Sequence, residues 1–183
     1  MTIKALALIV TLFTGGSVSG DSYPLAAPKR GWLALEELSM LPLERETTAN
    51  HLSAYVANYL SKGERVDRTT WAPRLLGLAL LLHPENPRAR QTNEAMAKGS
   101  SLPTLETGLD ADVLARVLYH RAQGLEKNEG AGAVLAPYLI AVAAYIAPYL
   151  EDIVFRHESR LLREGVLKWA PISGQTPAEK QSR

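Results

Sequence analysis

The stretch APRLLGLALLLHP at residues 72–84 returns 64 residues later as APYLIAVAAYIAP at residues 136–148. At this offset five of the thirteen residues are identical, and both prolines of each stretch are among them. Proline has no amide hydrogen, so it fits the first turn of a helix, and it ends a helix that precedes it. We therefore predict a helix of about twelve residues in each copy, opened by the first proline (Pro73 or Pro137) and closed by the second.

Each of these helices has a predicted helix on either side. In the first copy the three helices cover about 48–61, 73–83 and 87–98, and in the second about 110–127, 137–147 and 150–163. Thr70, Asn86 and Asp110 have side chains suited to helix N-caps, and Gly99 and Gly165 suit helix C-termini. The sequence predicts an all-α fold of two tandem three-helix units of stacked antiparallel helices.

The composition favours helices and excludes several kinds of site and partner. Leu and Ala supply 54 residues, whereas the β-branched Val and Ile supply 16, which favours helix over sheet. Hydrophobic residues make up 46% of the chain, enough for a buried core. The formal net charge of +1 provides no general electrostatic footprint for nucleic acid. The absence of cysteine excludes disulfides, thiolate metal sites and thiol nucleophiles.

The first twenty residues have the pattern of a signal peptide. Lys4 precedes the apolar run Ala5–Phe13, and small residues follow it. We expect cleavage after Ser19 or Gly20 and export to the periplasm or the extracellular space. The predicted organisation is a signal peptide at 1–20, an N-terminal extension at 21–45 with a short capping helix near 32–41, unit 1 at 46–99, a linker at 100–109, unit 2 at 110–170 and a disordered tail at 171–183.

The repeated helix resembles the second helix of a tetratricopeptide repeat, in which small residues, a large apolar residue and a proline follow a fixed spacing. The matching positions are Ala72, Leu76, Ala79 and Pro84 in the first copy and Ala136, Ile140, Ala143 and Pro148 in the second. The resemblance covers about 90 residues, and it is degenerate, because the helix that opens each unit lacks most of the family pattern. It implies antiparallel helix stacking and a surface that binds peptides or helices.

The run Ala131–Leu150 carries no charge over 20 residues and has two interpretations. It is long enough for a membrane span, which would make the protein a membrane-anchored envelope component. Pro137 and Pro148 divide it, however, and its counterpart in the first copy contains Arg74. These features favour a buried central helix that is apolar on all sides.

The last predicted helix carries arginines on one side. Asp152 with Arg156, and Arg160 with Glu164, have the four-residue spacing of helical ion pairs. Arg163 continues the same side of the helix. We interpret this side as a charged, solvated face.

No sequence motif points to catalysis. The histidines His51, His83, His120 and His157 are far apart in sequence, and the chain contains no metal-binding, nucleophile-elbow or phosphate-loop motif. An enzyme would have to assemble a histidine-containing site from distant positions. We therefore predict no catalytic or metal-ligating residues and no cofactor.

The leading interpretation is a non-enzymatic protein–protein interaction or scaffold module that binds a peptide or helix partner. Polar and aromatic residues of the helices that open each unit, with two residues of the third helix, are the predicted partner-binding set. They are Tyr55, Asn58, Arg90, Asn93, Arg116, His120 and Gln123.

Overall fold

The computed structural model describes residues 25–61, 70–102 and 109–174. The predicted signal peptide, the loop 62–69, most of the predicted linker and residues 175–183 lie outside these ranges. The helices are α1 (Pro42–Ser61), α2 (Trp71–Leu82), α3 (Pro87–Ala97), α4 (Ala111–Glu126), α5 (Ala131–Ile146), α6 (Glu151–Glu164) and the short α7 (Ala170–Ser173), with a 3-10 turn at Leu35–Glu37. The described ranges contain no strand, and the all-α prediction is confirmed.

The duplicated stretch ends in the same way in both copies. Both α2 and α5 end two residues before the second proline of their stretch. The residues in between have similar backbone angles, φ −143° and ψ 88° at His83 and φ −129° and ψ 74° at Ala147. Their amides donate to the carbonyl oxygens of Ala79 and Ala143, each at 3.0 Å. The C-terminal ends of α2 and α5 are therefore alike, and the predicted closing role of both prolines is confirmed.

The prediction that Pro137 opens a helix is wrong. It lies inside α5, which begins at Ala131 after Gly130. The missing amide hydrogen of Pro137 leaves the carbonyl of Ala133 without a helical partner. Ala133 is exposed, so water can bond that carbonyl and the helix continues.

The interpretation of α5 as a central buried helix is confirmed. Leu135, Leu139, Ile140 and Val142 are completely buried. The run 131–150 is divided between α5 and the turn that precedes α6. Across the described ranges, no helix has the length and apolarity needed to cross a membrane.

The N-terminal part of the fold differs from the prediction. α1 begins at Pro42 rather than near Thr48, because proline suits the first helical position and the Glu44 carboxylate accepts a bond of 2.8 Å from the amide of Leu41. In place of the expected capping helix near 32–41, the chain forms only the 3-10 turn. Thr70 occupies the N-cap position of α2 but makes no capping side-chain bond there, whereas the caps predicted at Asn86 and Asp110 are confirmed.

The first residues of the predicted disordered tail belong to the fold. α7 packs against α2, and Ile172 is completely buried. The two helices touch at Gly77, where an added Cβ would overlap the carbonyl oxygen of Ile172. The corresponding residue in the second copy is Ala141. Glycine at position 77 is thus explained by α7, whose backbone lies too close to α2 for a side chain at this position.

An aromatic cluster joins the two helical pairs, α2–α3 and α5–α6. Trp71 of α2 stacks on Tyr145 of α5 with ring centroids 4.0 Å apart. Trp169, just before α7, meets Trp71 edge to face at 5.7 Å and Tyr138 at 5.0 Å. The guanidinium of Arg74 lies over both tryptophans, 5.0 Å from Trp71 and 5.1 Å from Trp169. This aromatic joint connects α2, α5 and α7.

The close approach of α2 and α7 can be tested by a pair of matched substitutions. We expect Gly77→Ala to lower the free energy of unfolding by about 1–3 kcal/mol, because its Cβ would push α7 away. Gly124→Ala is the control, since no atom lies within 4 Å of its added Cβ. That variant should gain about 0.5–1 kcal/mol from helix propensity. Urea unfolding measures both, and equal effects would contradict the packing of α7 at Gly77.

Candidate functional site

The side chain of Asn93 holds a peptide backbone that belongs to its own chain. Its Oδ1 accepts a bond of 2.9 Å from the amide of Ala26, and its Nδ2 donates to the carbonyl of Ala26 at 2.9 Å. Asn93 is 8% exposed and Ala26 is 4% exposed. Because the amide and the carbonyl of Ala26 are both removed from water, the two bonds are needed to offset their desolvation.

The same segment is also bonded from α7. The amide of Ala27 donates to the carbonyl of Ser173 at 3.2 Å, and the amide of Lys29 donates to the carbonyl of Pro171 at 2.8 Å. We call residues 25–31 the N-terminal strap. The bonds to the strap use its backbone rather than its side chains, so the helices α3 and α7 together hold a segment that belongs to no helix.

A groove runs beside the strap. It encloses about 530 Å³ between the strap, the following residues and the turn that joins α2 to α3. Leu33, Leu80 and Leu81 are buried beneath it and give it an apolar lining. Lys29 and Arg30 are exposed at its edge, and neither forms an ion pair within the described residues. We call this the strap groove.

Arg90 is the predicted site residue that lines the strap groove. Its guanidinium pairs with Glu85 at 2.7 Å, and its Nε donates to the carbonyl of Pro84 at 3.0 Å. These contacts hold Arg90 across the turn between α2 and α3. The basic edge of the groove therefore depends chiefly on Lys29 and Arg30.

Three of the predicted site residues lie on α4 instead. Arg116, His120 and Gln123 are exposed there, and the His120 ring lies 3.3 Å from the Gln123 amide oxygen. His120 lines a separate depression of about 420 Å³. The structure thus places this α4 trio and the pair Arg90–Asn93 on different surfaces and does not bring the seven residues into one groove.

The expectation that Tyr55 lines an open surface is wrong. Tyr55 is 8% exposed and stacks on Tyr59 at 4.3 Å. Burial raises the pKa of its hydroxyl, and the neighbouring Tyr145 and Tyr59 add to the effect. Asn58, one turn further along α1, is half-buried. Tyr55 is a core residue, and a partner cannot reach it without opening the fold.

The histidines do not converge on a site. Burial lowers the pKa of His51, assisted by the positive charge of Arg88, and burial also lowers the pKa of His157. The His83 ring contacts the amide of Asn86 at 3.4 Å, beside the turn that ends α2. Within the part of the chain that the structure describes, no group of three histidine or carboxylate side chains is arranged to hold a metal ion.

Sequence reasoning missed the strap and its two basic residues. Ala26 and Asn93 are 67 residues apart, and no local pattern indicates such a pairing. The dipeptide Lys29-Arg30 follows Pro28 in a segment without helical periodicity. Its proximity to a groove becomes visible only when α3 and α7 are in place.

The role of Asn93 can be tested by removing its amide. We expect Asn93→Ala to release the strap, to lower the free energy of unfolding by about 1–3 kcal/mol and to speed tryptic cleavage after Lys29 and Arg30. Gln91→Ala is the control, because Gln91 is exposed on the same helix. Limited proteolysis followed by mass spectrometry measures the cleavage rate. An unchanged rate in Asn93→Ala would contradict the clamp.

Comparison of the chain with protein-family models, with curated proteins and with solved structures found no significant match. The resemblance to tetratricopeptide repeats therefore stays a prediction from the residues of the duplicated helix. Function has to be inferred from the strap and its groove.

Proposed function

We propose that the protein is a non-enzymatic interaction module that binds an extended peptide of a partner protein in the strap groove. The observation that carries this proposal is the strap itself. Asn93 and the carbonyls of Ser173 and Pro171 already hold a backbone segment that belongs to no helix, and an open groove lies directly beside it. A peptide in that groove would meet apolar surface below and the strap at its side.

The groove favours a particular peptide chemistry. Leu33, Leu80 and Leu81 form an apolar lining that suits one large aliphatic side chain. Lys29 and Arg30 at the edge suit carboxylates. The preferred ligand is therefore a peptide in which an aliphatic residue is flanked by aspartate or glutamate.

A binding measurement on designed peptides tests this function. The probes are fluorescein-labelled decapeptides with a central leucine, flanked in one set by Asp and Glu and in the other by Lys and Arg. In fluorescence polarisation we expect the acidic set to bind roughly tenfold more tightly than the basic set. The variant Lys29→Glu/Arg30→Glu should lose that preference, because it reverses the charge at the groove edge.

The matched control reverses two exposed charges on α4. The variant Arg116→Glu/Lys127→Glu should bind the acidic peptides as the unmodified protein does. If this control loses binding while the strap variant keeps it, the α4 surface is the binding site and the strap groove is rejected. Equal affinity for both peptide sets would also reject the proposed groove.

We also propose that the protein acts outside the cytoplasm. Support comes from the sequence of residues 1–20, which lie outside the described ranges. Cleavage after Ser19 or Gly20 would leave the new N-terminus only a few residues before the strap, so export and strap docking would involve the same end of the mature chain.

Export can be tested by fractionation after expression in a bacterium that has a periplasm. We expect the protein in the periplasmic fraction, with a mass that corresponds to an N-terminus at Gly20 or Asp21. Leu8→Arg should keep the chain uncleaved in the cytoplasm, because a charge interrupts the apolar run. Leu25→Arg, beyond the predicted cleavage site, is the control. An uncleaved cytoplasmic chain from the unmodified gene would refute the signal peptide.

A further inference from the structure

The outer side of α6 exposes large apolar side chains. Phe155 is 72% exposed and Leu162 is 89% exposed, seven residues apart on the helix. Val166, just beyond the end of α6, is 86% exposed. Ser159 lies between Phe155 and Leu162, so the spacing follows one side of the helix. We call Phe155, Ser159, Leu162 and Val166 the α6 face.

The sequence repeat provides an internal comparison for this face. At the offset of 64 residues, Phe155 corresponds to Gln91 and Leu162 to Lys98. Gln91 and Lys98 are also exposed, on α3. The fold therefore accepts polar residues at these positions, and folding of the chain gives no reason for Phe155 and Leu162. A surface that forms contacts with another molecule does give such a reason.

The charges around the α6 face are arranged unevenly. Glu151 and Asp152 are exposed at the N-terminal end of α6, and Arg163 and Glu164 are exposed at its C-terminal end, with their charged groups 3.9 Å apart. Arg156 and Arg160 do not belong to this face, because both pair with Glu126 of α4. The predicted pair Arg160–Glu164 is present at 2.7 Å, but Arg156 pairs with Glu126 rather than with Asp152. The α6 face is thus apolar in its middle, with Asp152 beside one end and Arg163 beside the other, while Glu164 follows Arg163 by about 100° around the helix.

We propose that the α6 face binds a second copy of this chain, with the two α6 helices antiparallel. A two-fold axis between Glu158 and Ser159 sets Phe155 opposite the partner's Leu162. The same axis places the N-terminal end of each α6, which carries Asp152, beside the C-terminal end of the partner's α6. The partner's Arg163 then lies about 3 Å along the helix from the position that faces Asp152. A surface that pairs with itself in this way needs complementary ends, and α6 has them. This inference does not depend on the proposed function of the strap groove.

A lipid surface fits the α6 face less well. The exposed charged residues of α6 are Glu151, Asp152, Glu158, Arg163 and Glu164. Four of these five are acidic. Helices that lie on anionic membranes carry basic residues at the edges of their apolar face, whereas this set would be repelled by such a membrane.

The dimer is tested by charge reversal at its two ends. In sedimentation equilibrium we expect the protein to approach twice its monomer mass as its concentration rises. Asp152→Arg should make the chain monomeric, because two arginines would then face each other at both ends of the dimer interface. Arg163→Asp should do the same with two carboxylates. A mixture of the two variants should dimerise again, since every contact then joins Asp to Arg.

The mixture separates a self-antiparallel dimer from other occupants. Recovery in the mixture requires that positions 152 and 163 face each other in two copies of this chain, which neither a parallel pair nor a different partner predicts. The control pair is Glu46→Arg on α1 and Arg88→Asp on α3, both at exposed positions, and these variants should dimerise like the unmodified protein. Leu162→Ser provides a second test that does not change charge, and it should weaken dimerisation by roughly tenfold or more without lowering the melting temperature at a concentration where the protein is monomeric.

Two results would overturn the proposal. The first is an unmodified protein that stays monomeric up to roughly 0.5 mM. The second is failure of the mixed variants to dimerise when each is folded by circular dichroism. Sedimentation with phosphatidylglycerol vesicles completes the experiment. Vesicle binding by a monomer that is lost in Leu162→Ser would assign the face to a membrane and likewise overturn the dimer.

Discussion

The contact of the Arg74 guanidinium with Trp71 and Trp169 lies where the two helical pairs and α7 meet. A guanidinium over an aromatic face is worth about 0.5–1 kcal/mol when exposed and more when it is desolvated. Here one guanidinium serves two rings, and Trp71 also stacks on Tyr145 of the other helical pair. The chain has no cysteine to connect these parts, so aromatic packing provides the connection.

The position of the strap follows from this joint. Trp169 fixes the start of α7, because its ring is held between Trp71 and Tyr138. α7 then presents the carbonyls of Pro171 and Ser173 to the strap, while Asn93 bonds the strap from α3. The groove exists because the strap closes one of its sides. The basic edge of the strap groove is thus supplied by the strap, which the aromatic joint holds in place through α7.

The sequence predicted the parts of the fold that depend on local signals. Proline and glycine punctuation located α2, α3 and α6, and the Asp110 cap located α4, because each signal acts within a turn of the residue that carries it. The predicted start of α1, near Thr48, is six residues too late, although Pro42 and Glu44 mark it locally. α7 was not predicted, because four residues are too few to show a helical period, and its stability comes from Ile172 packing on α2 rather than from its own sequence.

The candidate site was less predictable than the fold, for a physical reason that Tyr55 and Asn93 illustrate. Residue type indicated that both could contact a peptide. Whether a side chain faces solvent depends on which segment covers it, and that is decided by contacts between residues far apart in sequence. Tyr55 is covered by other residues of the hydrophobic core, and Asn93 is bonded to the backbone of Ala26 in the same chain.

The two helical pairs do not present the same surfaces. The buried residues of α3 are Ala89, Thr92, Asn93 and Met96. In α6, which is described over its whole length, Ile153 alone is buried. The strap bonds to Asn93 of α3, and at the sequence offset of 64 residues His157 of α6 stands in place of Asn93. A helical surface that no described segment covers must either be polar or contact another molecule. Phe155 and Leu162 stand where α3 has Gln91 and Lys98, which is the pattern of the second outcome.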